Sequence, residues 1–355
     1  MLTKYFDNII FFLQKSGGGS VYWGELIKRF SRDTDSVFIQ PKLDTENIVF
    51  KQIELNNAIK EIGIPLKILR YLPLTLKIDD GSIFHSSFYR YSIQKGVKNV
   101  TTVHDFTNER FSRGLSRFVH HKQKGLAVKN SSGIICISQK TKNDLYEFYP
   151  HFMKGKMVEV IYNGVSDDFF LINDKKSIQT DLQSMSHRYI LFIGHRSYYK
   201  NFDFAVEVIK NLPQEYTLLI VGNPLTELEK IMLEKNISNK YYFLGNISNE
   251  MLNEIYNISE CLLYPSNYEG FGIPVIEAFK SGCPVIAQRI AVLEEITNDA
   301  AILVDGLNKK NFIDKIKQLK NDRVKSELIN LGISQADKFS WERCTQEVNN
   351  FYETI

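Results

Sequence analysis

A chain of 355 residues, 43% hydrophobic and 24% charged, is long enough for two globular domains with a core each, and this composition excludes a disordered or fibrous protein. The net charge of +3 is unevenly placed: residues 1–165 carry 24 Lys and Arg against 15 Asp and Glu, a net +9, and the remainder is −6. Cys136, Cys261, Cys283 and Cys344 form no CxxC pair, which argues for a reducing compartment without disulfides or zinc. The apolar run 9–13 is too short for a signal-peptide core or a spanning helix, so the expected location is cytosolic.

Short β-branched runs alternate with helical patterns, the mark of parallel α/β architecture. In the first half the expected strands are 8–13, 37–40, 83–85, 100–104, 134–138 and 158–162. Gly17-Gly18-Gly19 follows the first of these and precedes a helical run at 21–30, so it reads as a turn where backbone N–H groups can approach a ligand. It has neither the GxGxxG spacing of a dinucleotide fold nor the Lys-Ser/Thr of a P-loop. Asp33-Thr34-Asp35 falls in a predicted helix-to-strand turn away from the other motifs. Thr101-Thr102-Val103-His104-Asp105 ends the fourth strand, which places His104 at the same sheet end as the glycine turn, with Asp105 able to orient the imidazole or cap the next helix. Arg110, Arg113, Arg117, Lys122, Lys124 and Lys129 alternate with apolar residues in what reads as one basic amphipathic helix. A solvated face, anionic lipid and nucleic acid are its candidate surroundings, and no nucleic-acid motif accompanies it.

The first domain is expected to end at 165, followed by a polar linker at 166–187 and a second domain at 188–338. Strands are expected there at 189–193, 217–221, 241–244, 261–264, 284–287 and 301–304, with helices at 202–211, 226–235, 249–258, 274–281, 292–297 and 311–319. The segment 339–355 holds a last amphipathic helix able to pack on either domain. The expected fold is therefore two Rossmann-like, doubly wound α/β domains facing across a cleft, where open sheets of this kind bind ligands.

Two motifs of the second domain carry chemistry. Gly194-His195-Arg196-Ser197-Tyr198-Tyr199-Lys200-Asn201 leads from a strand through a glycine to two cations that can converge on a diphosphate. Glu269-Gly270-Phe271-Gly272-Ile273-Pro274-Val275-Ile276-Glu277 places two carboxylates eight positions apart around a glycine turn that opens a helix. Glutamates beside an anion site are tolerated where they bind a ligand's neutral, hydroxyl-rich parts. A sugar nucleotide has that chemistry.

These residues resemble the retaining nucleotide-sugar glycosyltransferases of family four, which have the GT-B fold. The resemblance extends to Gly17–Gly19, Val103-His104-Asp105, Ile137-Ser138, Asn163-Gly164-Val165, Lys200-Asn201 and Phe339-Ser340-Trp341 in the same order. It implies that Glu277 binds the ribose and Glu269 the donor sugar. It implies also that Phe271, Gly272 and Ile273 face phosphate or sugar oxygens, Arg196 and Lys200 hold the diphosphate beside Gly194, and Gly18 and Gly19 approach it from the first domain. His104 would meet the donor sugar or the acceptor. The family more often has arginine directly after the glycine, where this chain has His195, so either His195 or Arg196 is the residue that faces the diphosphate. No metal or cofactor is implied. The donor is a nucleotide diphosphate sugar, with GDP-mannose preferred, and the acceptor a saccharide, lipid-linked in a bacterial O-antigen, capsule or other surface polysaccharide and held at the inner face of an anionic membrane. The alternatives are a soluble acceptor, a GT-B sugar-nucleotide epimerase or inverting transferase, and a non-catalytic sugar-nucleotide-binding protein.

Overall fold

The computed structural model describes residues 2–61, 63–174, 178–180, 182 and 187–355. Contacts divide the chain into two compact units, Met1–Gly164 with Trp341–Ile355, and Val165–Ser340.

The first unit holds seven strands, β1 (Lys4–Asp7), β2 (Ser36–Pro41), β3 (Ala58–Glu61), β4 (Ile83–Ser86), β5 (Lys98–Val103), β6 (Gly133–Cys136) and β7 (Met157–Val160). They pair in the order β3-β2-β1-β4-β5-β6-β7, every pair parallel. The strand expected at 8–13 is corrected. β1 lies just upstream, and Ile10–Leu13 forms a helical turn. Polar residues at both ends disguise β1, yet all four of its residues are buried. The Lys4 ammonium reaches Asp33 and Asp35 at 3.5 and 3.2 Å, and Asp7 pairs with Arg90. Among the turn residues, Gly18 and Gly19 lie inside the helix Gly18–Phe30 rather than ahead of it, and Gly17 is its N-cap at φ +149°. The single basic helix expected over 110–129 is also corrected. The chain breaks at Ser112 and Arg113, both extended, between the helices Thr107–Phe111 and Gly114–Asn130.

The final helix Trp341–Thr354 packs into this unit. Trp341 meets Tyr22 edge-on at 6.1 Å, and Tyr352 Oη lies 2.6 Å from His85 Nδ1. Gly133 is required beneath it, because a Cβ there would stand 2.7 Å from the Phe351 ring.

The second unit holds β8 (Arg188–Ile193), β9 (Tyr216–Val221), β10 (Tyr241–Gly245), β11 (Ser259–Tyr264), β12 (Val285–Gln288) and β13 (Ile302–Val304). Their order is β10-β9-β8-β11-β12-β13, all parallel, with helices between consecutive strands. The doubly wound order reverses direction between β8 and β11, and ligands of such sheets bind outside the strand ends at that point. All six expected strands are present, within two residues at each end. A fifteen-residue helix at Asp322–Ala336 was not anticipated. It is capped by Asn321 Oδ1, which accepts from the Arg323 and Val324 N–H groups. One face of the sheet carries a core built from residues such as Ile190, Phe192, Leu218, Ile220, Leu263 and Phe312.

Of the polar stretch 166–187, residues 175–177, 181 and 183–186 lie outside the described residues. Its described start packs on the second unit: Phe169 is buried against Tyr256, and the Phe170 and Ile172 N–H groups donate to Asn253 and Asn257 at 3.1 and 2.8 Å.

Candidate functional site

The strand ends of the second unit bring two loops together. Gly194 follows β8 at φ +110° and Gly222 follows β9 at φ +140°. A Cβ on Gly222 would stand 2.7 Å from the Gly194 carbonyl oxygen, so glycine is what permits these backbones to touch. Tyr198–Lys200 then makes one 3-10 turn that Asn201 ends in the left-handed region at φ 53°, a conformation asparagine tolerates. From there the Asn201 side chain donates to the Pro265 carbonyl at 2.6 Å, and Asn267 N–H donates to the Tyr199 carbonyl at 2.8 Å. These two bonds tie the loop after β8 to the loop after β11.

That junction sets Lys200 beside Glu269, with Nζ 2.5 Å from Oε1 and 3.4 Å from the Tyr264 hydroxyl. Burial raises the Tyr264 pKa well above its usual value, and the charges of Glu269 and Glu277 add to the effect, so both carboxylates bear on one buried phenol. Four residues after Glu269, the helix Ile273–Lys280 begins behind Gly272 at φ +114°, with Pro274 in its first turn. Glu277 accepts a 3.1 Å hydrogen bond from Tyr256 Oη. Burial lifts the Glu277 carboxyl to about 7, against the lowering effect of that bond. The Phe271 ring is buried and packs edge-on against Phe339 at 5.6 Å, which leaves its backbone as the part able to meet a ligand. Ile273 is the first residue of the helix and only partly buried.

Arg196 is held elsewhere. Its Nε donates to Glu229 Oε1 at 2.8 Å, and Nη2 donates to the Asn223 and Pro224 carbonyls at 2.7 and 2.8 Å. Nη1 is buried and makes no hydrogen bond among the described residues. His195 is exposed and lies 3.3 Å from the Asn223 amide through Nδ1. Lys200 and Glu269 are therefore joined directly, and among the described residues Arg196 shares no hydrogen-bond partner with them. Sequence reasoning missed Glu229 in this role, although Thr226-x-x-Glu229 is a readable capping box at the start of the helix Glu227–Ile237. It missed Tyr256 and Tyr264 too, since single tyrosines in apolar runs give no signal.

In the first unit His104 follows β5, and its ring meets Tyr22 edge-on at 4.8 Å. Burial pushes it down to about 4, so the imidazole is neutral at physiological pH. Asp105 turns its carboxylate to the Thr107 N–H at 2.9 Å and starts the next helix with it. Its carbonyl accepts from the Lys124 ammonium at 2.7 Å. Gly18 has open space where a Cβ would stand. Among the described residues, no group of three or more His, Cys, Asp or Glu is arranged to hold a metal ion, and no helix is long and apolar enough to cross a membrane.

Two family models match the chain, Glycosyltransferase Family 4 over residues 16–169 and Glycosyl transferases group 1 over residues 174–332. The chain belongs to this family of glycosyltransferases. The family-four chain is 30% identical over 64% of its length to an uncharacterized glycosyltransferase of Methanocaldococcus jannaschii, and 30% identical over 47% to the O-antigen chain mannosyltransferase B of Escherichia coli. These matches span 61% and 46% of the two relatives, so the chain corresponds to about half of their length. In structure it is similar to the sucrose-phosphate synthase of Thermosynechococcus elongatus, with a TM-score of 0.77, 16% identity, and 100% and 99% of the two chains covered. That likeness, with the two parallel sheets, gives the GT-B fold.

Proposed function

We propose that the chain is a retaining hexosyltransferase that moves a sugar from a nucleotide diphosphate donor, GDP-mannose by preference, to a hydroxyl of a saccharide acceptor. The observation that carries this reading is the Lys200–Glu269 pair at the strand ends where the order of β8 and β11 reverses. In this account Glu269 exchanges its ammonium partner for the donor sugar's hydroxyls, and Lys200 turns to the diphosphate. Phosphate and sugar oxygens meet the backbone at Gly194, Phe271, Gly272 and Ile273, and Glu277 takes the ribose. Arg196 contributes through Nη1, its one nitrogen without a hydrogen bond among the described residues. The departing phosphate receives the acceptor's proton on the face where the sugar is attacked, so the anomeric configuration is kept. The cations stabilise the charge that develops on the leaving group. Within the first unit, His104 with its neutral ring is proposed as a catalytic residue and Gly18 and Gly19 as donor-binding residues. The reading assigns no metal and no cofactor.

The mannose preference is supported by the relative named as an O-antigen mannosyltransferase. We place the acceptor on a lipid carrier at the cytoplasmic face of an anionic membrane. This is supported by the helix Gly114–Asn130, where Leu115, Phe118 and Leu126 are exposed among Arg117, Lys122 and Lys129. Thermal shift with GDP, UDP and dTDP tests the donor, since the preferred base stabilises the fold by mass action. NMR of the product's anomeric proton tests retention, and an inverted product would end the retaining assignment.

A further inference from the structure

A second hollow lies in the first unit, where the loop after β4 meets the helix Gly114–Asn130. It is a groove of about 580 Å³ whose lining includes Arg70, Tyr71, Phe88, Asn108, His120 and Gln123. Its walls are aromatic. The Arg70 guanidinium lies 4.8 Å from the Phe88 ring centre and 5.1 Å from that of Tyr71, and Tyr71 is 48% exposed.

Its polar atoms are left incomplete in a particular way. Gln123 is 7% exposed and donates from Nε2 to the Arg70 carbonyl at 2.5 Å, but its Oε1 is buried and accepts no hydrogen bond among the described residues. Arg70 Nε is likewise buried and donates none. Buried polar groups without partners are rare, and each carries its desolvation penalty until a ligand or water satisfies it. His120 Nδ1 stands 3.2 Å from Glu109 Oε1. Burial works to raise the Glu109 carboxyl, but His120 and the Lys124 ammonium outweigh it and hold it at about 2. An ionised carboxylate only accepts, so His120 Nδ1 carries the proton that faces it. Tyr89, next to Phe88, is held at φ +50°, a strained conformation for a tyrosine, with its ring edge-on to His120 at 5.7 Å. Strain of this kind gathers at binding sites.

We propose that this groove binds an uncharged saccharide ring, the acceptor sugar of the reaction. The inference rests on the transferase reading above and adds the residues that hold the acceptor. An anion would call for donors alone and an acyl chain for no polar groups. The groove instead offers an acceptor, Gln123 Oε1, and a donor, Arg70 Nε, beside aromatic faces. Hydroxyls that both donate and accept, on a ring with apolar C–H faces, complement that set. The groove is also fixed to the His104 loop, because Lys124, the neighbour of Gln123, donates to the Asp105 carbonyl.

Saturation-transfer NMR on the full chain tests this with methyl α-mannoside and methyl N-acetyl-β-glucosaminide as probes, and GDP and UDP titrated in parallel. At least one glycoside should receive saturation from the unmodified protein. Gln123→Leu and Tyr71→Ala should each weaken its binding by about tenfold, the worth of one hydrogen bond or one packed face. Lys200→Ala and Glu277→Gln should leave it unchanged. The half-exposed Tyr71 carries the test alone if Gln123→Leu fails to fold. Absence of glycoside binding, equal binding by the folded groove variants, or loss confined to Glu277→Gln would each overturn the proposal. Nucleotide binding without glycoside binding removes the groove and leaves the donor site standing. The reverse result keeps the groove and removes the donor site.

Discussion

In the first unit the charges beyond the strand ends are sealed. Arg90 donates to Asp7 at 3.1 Å and to Glu61 at 2.9 and 3.0 Å, and none of these side chains has any exposed surface. The Ser86 hydroxyl donates to the other Asp7 oxygen at 2.8 Å, the Thr75 hydroxyl donates to Glu61 Oε1 at 2.7 Å, and Arg90 Nε donates to the Leu72 carbonyl at 3.1 Å. In the second unit Lys200 and Glu269 keep 13% and 10% of their side-chain surface and share a single bond. A triad that saturates itself behind closed walls fixes loops, whereas a pair with one bond and residual access can change partners. Position in the sheet alone would not distinguish the two, because both stand at the ends of parallel strands.

The largest effect expected is on the sealed side. Arg90→Met leaves two carboxylates buried without their cation and should destabilise the fold by about 3–5 kcal/mol in urea melts, with unfolding at ordinary temperature as the extreme. A loss below about 1 kcal/mol would mean that water reaches the triad. Lys200→Ala should show the opposite profile, with turnover down by about 10²–10³ while the melting temperature barely moves. If Lys200→Ala behaves like Arg90→Met, the pair is structural and the contrast between the units fails.

Gly272→Ala tests the turn between the two glutamates. At φ +114°, with a Cβ placed 3.2 Å from both Ile296 Cδ1 and Leu293 Cδ2, the substitution should cost about 1–3 kcal/mol by thermal melts. Glu277 sharpens the comparison through pH. Its folded carboxyl stands near 7, above the value of 4.5 for a free glutamate, so between those limits the folded state holds a proton that the unfolded chain has released. This group's contribution to stability is full below the unfolded pKa and falls as pH rises through the folded one. Nucleotide affinity, which on the proposed role of Glu277 needs the carboxylate, should move the other way and weaken by about tenfold per pH unit once pH drops below 7. Glu277→Gln should abolish both slopes, and a slope that survives it belongs to another group.

Much of this was legible in the sequence, and unevenly. The six strands of the second unit are mostly apolar runs, with polar residues such as Arg188, Glu260 and Gln288 confined to their ends, which is how strands covered on both faces read. In the first unit β1 and β3 were missed. Each is four residues long and carries charges, and neither shows that Lys4, Asp7 and Glu61 find partners far along the chain. The basic segment misled for the same reason. Lys124 looks like any surface lysine until Glu109 and the Phe106 ring, 4.2 Å from its ammonium, are brought around it by folding. The Lys200–Glu269 meeting was foreseen as a shared site but not as a bond, since sixty-nine residues separate them. Arg196, grouped with Lys200 by spacing, is claimed by Glu229 across a loop that sequence cannot fold.

The central claim is that the Lys200–Glu269 junction receives a nucleotide diphosphate sugar. Isothermal titration of GDP, UDP and dTDP into the unmodified chain and Lys200→Ala, both confirmed folded, tests it most directly. The account predicts binding of at least one nucleotide to the unmodified chain and a loss of about tenfold or more in the variant, the range for a charge-assisted contact. No binding by any of the three, or equal affinity in the two proteins, would contradict it.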